Sequence, residues 1–146
     1  MIATGDVGLA VSIINRRAGA YFRESLKKFS LGPGQQAYLL ALRPGEKIPQ
    51  DTLSQRLCVD KANVTRAVTG LTELGYLRRE RDMYDKRIWN VSLSEQGTAV
   101  QKEVREISRL WIEMLRSYVD CEEWTVTEQT LKKIAESLQD CCENCC

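Results

Sequence analysis

Apolar side chains recur through residues 6–29 at Val7, Val11, Ile14, Ala18, Phe22, Leu26 and Phe29, in steps of three and four. That spacing predicts one long amphipathic helix. The stretch LGPGQQAYLLAL then restarts the chain, with Gly32 near a cap and Pro33 as first helical residue. This second helix ends before Pro44-Gly45. EKIPQ is followed by a short helix over about residues 50–57, a turn at Cys58-Val59 and a further helix capped by Asp60. The latter carries Val64, Ala67, Val68, Leu71 and Leu74 on one stripe, and Gly75 ends it. Two short helices joined by a tight turn make a helix-turn-helix.

The period then changes. YLRRER, DMYDKR and IWNVSLS read as strand, turn and strand, a β-hairpin set directly behind the helix-turn-helix. Residues 95–118 return to helical spacing with Val100, Val104, Ile107, Trp111, Met114 and Tyr118. A last helix is expected from Thr125, with Glu128 completing a capping box and Leu131, Ile134, Ala135 and Leu138 facing inward. The expected fold is therefore mainly α with a small β-hairpin, in one domain, without internal repeats.

Composition narrows the chemistry. Net charge is +1 over 146 residues, so no global bias toward nucleic acid or membrane exists. The distribution is uneven: Lys61 to Arg87 holds seven bases against four acids, and Asp120 to Cys146 two bases against seven acids. A basic segment inside a balanced chain is a local electrostatic footprint. The chain has no histidine, which removes histidine acid–base catalysis and the commonest metal ligand. With neither a glycine-rich phosphate loop nor a paired-carboxylate motif, an enzyme is not expected. No apolar run approaches the roughly 18 residues of a membrane span. The bases of MIATGDVGLAVSIINRR follow its apolar stretch, against a signal peptide. A cytoplasmic protein with reduced thiols is expected.

A charged hairpin behind a helix-turn-helix reads as a wing. The recognition helix occupies one major groove, while the wing tip lies along the backbone or in the neighbouring minor groove, whose negative potential favours an arginine. Arg87 is the candidate for that insertion, and Asp85, two residues before it, is placed to hold the guanidinium.

Residues 53–97 resemble the MarR (multiple-antibiotic-resistance regulator) family of winged-helix transcription factors. The resemblance lies in Val59-Asp60, Val64-Thr65-Arg66, Leu71 through Gly75-Tyr76-Leu77 with Arg79, Asp85 and Arg87, and Leu93-Ser94 with Gly97. Cys58 stands where the family usually has a turn glycine, and Ser94 where it has threonine. The resemblance implies a winged helix-turn-helix lobe over 31–94, dimerisation helices over 1–30 and 95–140, and a Cys-rich tail over 141–146. It also implies that Asn63, Thr65 and Arg66 face DNA while Arg87, supported by Asp85, probes the minor groove. Position in the first turn and a half of the recognition helix adds Lys61 and Ala62, and the wing tip adds Lys86. Asn63 is a candidate partner for adenine, and Lys61 or Arg66 for guanine or phosphate.

The expected activity is sequence-specific binding of a palindromic double-stranded operator by a homodimer acting as a repressor. Stripes longer than one lobe can bury, with Trp111, Met114, Tyr118 and Trp124 large to leave in water, support the dimer. The family resemblance further implies a small aromatic effector, with Arg16, Tyr21, Tyr38 and Trp111 as candidate pocket residues. No cofactor is required. Cys141, Cys142, Cys145 and Cys146 offer CxxC spacing for zinc or another thiophilic metal, or thiols for a redox switch. A metal-binding or redox-active thiol protein on a winged-helix scaffold without DNA binding is the alternative. Cys58 is expected to be buried in its turn, and the absence of cysteine before it argues against a peroxide-sensing thiol in the first helix.

Overall fold

Chain order is α1 (Val7–Ser25), a 3₁₀ turn (Lys27–Phe29), α2 (Gln35–Leu40), β1 (Lys47–Pro49), α3 (Gln50–Leu57), α4 (Lys61–Glu73), β2 (Leu77–Arg81), β3 (Trp89–Leu93), α5 (Glu95–Arg116) and α6 (Cys121–Asn144). This computed structural model describes residues 5–144, with side chains as far as Gln139. Helix α3 coincides with the expected 50–57, and α4 begins where its cap predicts. The Asp60 carboxylate accepts from Asn63 N at 2.8 Å, satisfying one of the free amides of the first turn.

Three boundaries move. The first helix stops at Ser25, and Leu26 and Phe29 are carried into the core by the 3₁₀ turn. Pro33 is not the first residue of α2. Gly34 caps that helix with φ +77°, a left-handed conformation open to glycine, so Pro33-Gly34 forms the turn before it. Helix α6 begins at Cys121, not Thr125, because an earlier capping box intervenes. Asp120 Oδ1 accepts from Glu123 N at 2.8 Å, and Glu123 Oε2 accepts from Asp120 N at 3.0 Å. Thr125 sits inside the helix and donates its hydroxyl to Cys121 O at 2.8 Å.

The hairpin is part of a three-stranded antiparallel sheet in the order β1-β3-β2. Its third member, β1, comes from EKIPQ and pairs Ile48 with Val91. Three residues with a proline at one end carry too little alternation to announce a strand, and Pro49 is tolerated because β1 is an edge.

The core lies between α2, α3, α4, the sheet and the first half of α5, around Leu39, Leu42, Leu53, Val64, Val68, Leu71, Val91 and Val104. Gln101 of α5 is buried among them. Its Nε2 donates to the carbonyls of Leu39 (2.5 Å) and Leu42 (2.7 Å), satisfying the end of α2 from a neighbouring helix.

Outside the lobe the stripes divide. Trp111 is buried within the single chain beside Tyr21 (ring centroids 5.2 Å) and Phe22 (6.3 Å), and Trp124 is half-buried with the Arg116 guanidinium 6.0 Å from its ring. Met114 and Tyr118 are exposed, as are Val7, Val11 and Ile14 of α1. Leu131, Ile134 and Leu138 of α6 are exposed instead of facing inward, since the single chain offers that stripe no core.

Candidate nucleic-acid interface

The recognition surface starts from the periodicity of α4. Val64, Ala67, Val68 and Leu71 take the buried side, which turns Lys61, Ala62, Asn63, Thr65 and Arg66 outward together. Thr69, one turn beyond Thr65, is exposed on the same face, and the i+4 spacing was the signal that identifies it.

These side chains are not equally available. Thr65 Oγ1 donates to Lys61 O at 2.9 Å and accepts from Gln50 Nε2 at 3.0 Å, so its hydroxyl ties α4 to α3 and leaves the methyl outward. Lys61 Nζ lies 2.7 Å from Asp51 Oδ2, an exposed ion pair between α3 and α4. Asn63 donates from Nδ2 to the Asp60 carboxylate and accepts at Oδ1 from Arg66 Nη2. Asp51 and Gln50 were not legible as members of this surface, because their contacts cross from one helix to the next.

The wing is built by two aspartates. Asp82 Oδ1 accepts from Tyr84 N (2.9 Å) and Asp85 N (3.0 Å), and its Oδ2 accepts from Asn90 Nδ2 (2.9 Å). Those bonds, led by the Asp85 amide, hold the Asp82 carboxyl below its ordinary pKa. Asp85 does the same for Arg87. Its Oδ1 accepts from Arg87 N (2.9 Å) and Nε (3.1 Å) and its Oδ2 from Nη2 (3.1 Å), a fork that lowers the Asp85 pKa. The Arg87 side chain is 91% exposed, so it is aimed by its neighbour while open to a partner. Lys86 is exposed beside it, and its carbonyl accepts from Arg81 Nη1. The base of the wing is stiffened by Trp89, with the guanidinium carbons of Arg79 and Arg81 at 4.1 and 4.0 Å from its ring centroid.

Arg16, Tyr21, Tyr38 and Trp111 do not share one pocket. Tyr21 and Trp111, with Ile13, Met114 and Tyr118, line a groove of about 480 Å³ between α1 and α5. Tyr38 lines a different groove of about 570 Å³ between α2 and the recognition helix, where Asn63 and Arg66 form the far wall. Burial, with Asp60 nearby, raises the Tyr38 pKa, so its hydroxyl stays protonated at neutral pH. Arg16 lies outside both grooves and donates to Ser12 Oγ at 2.7 Å along its own helix.

Cys58 is exposed, which corrects its expected burial. It adopts φ +49° at the end of α3, the left-handed position a turn glycine would fill, and this sends its side chain away from the core. Cys145 and Cys146 lie outside the described residues, as do the side chains of Cys141 and Cys142. Among the described residues no cluster of three or more His, Cys, Asp or Glu is placed to hold a metal ion. No helix among them is long and apolar enough to cross a membrane.

The MarR family model matches residues 32–89, from the turn before α2 to the start of β3. A MarR transcriptional regulator from Methanosarcina mazei Go1 is 30% identical, with 90% of this chain and 94% of that chain covered and a TM-score of 0.82. The HTH-type transcriptional regulator BilQ of Clostridioides difficile is 25% identical over 62% of each protein, so the match spans less than two thirds of its length. A mutant MarR from E. coli, crystallised in complex with operator DNA, shares the fold at 23% identity and a TM-score of 0.78, over 89% of this chain and 94% of that one.

Proposed function

This chain belongs to the MarR family of transcriptional regulators, and from that membership we propose that it is a homodimeric repressor of a palindromic operator. DNA binding itself goes with the family. The observation that carries the finer reading is the pairing of an outward α4 face with an exposed Arg87 held rigidly by Asp85. The helix supplies base edges in the major groove, and the fixed arginine supplies a cation to the adjacent minor groove. Because Asp85 orients the guanidinium before binding, less side-chain freedom is lost on contact.

The dimer is supported by the exposed apolar positions of α1, α5 and α6, which extend along three helices outside the lobe. Two-fold symmetry then makes the operator palindromic, with half-sites about one helical turn apart. An effector response is supported by the α2–α4 groove, whose occupant would touch the wall formed by Asn63 and Arg66. A thiol or zinc signal at Cys141–Cys146 is supported by where α6 runs. Gln139 Nε2 donates to Arg56 O at 2.9 Å, two residues before the exposed Cys58, so α6 touches the helix-turn-helix two residues before Cys141 in sequence.

Fluorescence anisotropy against duplex DNA from upstream of the chain's own gene tests the reading, with a scrambled duplex as control. Binding should be tight and steeply salt-dependent. Arg87→Ala should weaken it about tenfold and reduce the salt slope by about one. Equal binding of both duplexes by the wild type would overturn the proposal. Matched samples in oxidant and in Zn(II) test the tail, and an unchanged affinity in both would remove the thiol signal.

A further inference from the structure

Asn63 stands where a base-reading side chain is expected, yet both ends of its amide are engaged within the recognition helix. Nδ2 donates to the Asp60 carboxylate, and Oδ1 accepts from Arg66 Nη2. The same Asp60 carboxylate receives the Asn63 backbone amide at 2.8 Å, so the capping group of α4 is the fixed end of the chain of contacts. Reading adenine bidentately takes the amide donor and acceptor together. One Nδ2 hydrogen and one Oδ1 lone pair remain, but the two bonds already made fix the plane of the amide, so Asn63 is oriented by Asp60 and Arg66 and not by a base.

We propose that Asn63 is a positioning residue that relays the fixed Asp60 cap to Arg66, and that Arg66 is the side chain of this face that discriminates bases. The inference rests on the DNA-binding reading above and assigns roles within it. Four observations support it. Asp60 is immobilised by the helix start it caps, so it is a firm anchor. Asn63 and Arg66 are three residues apart and therefore neighbours on one helix face. The guanidinium carries several donors, so one can be spent on Asn63 while an edge remains for guanine O6 and N7 or for phosphate. The Thr65 hydroxyl donates to Lys61 O and accepts from Gln50 Nε2, and Lys61 Nζ is paired with Asp51, so Arg66 is the side chain of this face with the most donors left for a base edge.

The test is selection from a library of randomised duplexes by the full-length wild type and by Asn63→Ala, Asn63→Asp and Arg66→Ala. Dissociation constants are then measured on single-base variants of the wild-type consensus, and helix content is checked by circular dichroism. Arg66→Ala should lose preference at one position per half-site by roughly 5- to 150-fold, the worth of one bidentate contact. Asn63→Ala should lose preference at that same position, at least in part, and at no other. Asn63→Asp keeps an acceptor for Arg66 but loses the donor to Asp60 and sets a carboxylate against it, so it should lose part of the same preference along with overall affinity. Loss by Asn63→Ala at an A·T position that Arg66→Ala leaves intact would overturn the relay while leaving the DNA-binding function standing. A wild type that enriches no sequence would overturn both.

Discussion

Arg56 shows how a single polar side chain holds the lobe's shape. Its Nη1 donates to Ala41 O (2.7 Å) and Glu46 Oε2 (2.8 Å), and its Nη2 to Glu46 Oε1 (2.7 Å), fastening α3 to the loop after α2. The Arg56 guanidinium, followed by the Arg43 amide, pulls the Glu46 carboxyl down to a pKa of about 2 from an ordinary 4.5. A carboxyl with a lowered folded-state pKa contributes stability that is full above the unfolded value and lost as pH falls through the folded one. Glu46→Gln should therefore cost about 1–2 kcal/mol at pH 6 in urea unfolding. The two stability curves should converge between pH 4.5 and pH 2, and a gap that stays constant over that range would contradict the assignment. Cys58 illustrates the opposite case: the turn was legible, but the direction of its thiol was set by a positive φ that follows from helix termination, not from its hydrophobicity.

At the scale of elements, α5 is registered against the sheet by one glycine. A Cβ on Gly97 would stand 1.8 Å from Tyr76 O, a backbone atom that also accepts from Ser94 N at 3.0 Å. Ser94 caps α5 by accepting from Gly97 N at 2.8 Å, and its hydroxyl donates to Gly75 O at 2.6 Å. Cap, glycine and exit of α4 thus form one junction, so the direction in which α5 leaves the lobe is fixed by it. Gly97→Ala forces that junction apart and should cost at least about 1–3 kcal/mol in thermal or urea unfolding. An alanine tolerated with unchanged stability would show that the helix can shift without penalty. Most elements were legible here because α3, α4 and the hairpin each carry their own period and punctuation. Strand β1 was not, since it exists only by pairing with β3 across some forty residues of sequence.

For the whole molecule, the exposed stripes of α1, α5 and α6 set the expected assembly. Leu131→Glu and Ile14→Glu place charges in apolar positions that the single chain leaves in water. In sedimentation experiments the wild type should be a dimer and each variant should shift toward monomer, while the lobe's own core residues are untouched. Operator affinity should fall steeply with protein dilution in the variants, because two half-sites no longer bind as one unit. A wild type that sediments as a monomer at micromolar concentration would overturn the dimer.

The sequence by itself determined the local layers of this protein: which segments are helical, where α4 is capped, that a hairpin follows it, and that Arg87 and Asp85 stand two residues apart in that hairpin. These are short-range consequences of periodicity, capping and turn chemistry, written within a few residues of where they act. The tertiary structure alone decided the rest. It buried Trp111 against Tyr21, separated Tyr38 from Tyr21 into two grooves, paired Asp51 with Lys61 and turned the Cys58 thiol outward. Each of these depends on which elements meet and at what angle. Those contacts are fixed by packing between segments distant along the chain, and no local pattern records them.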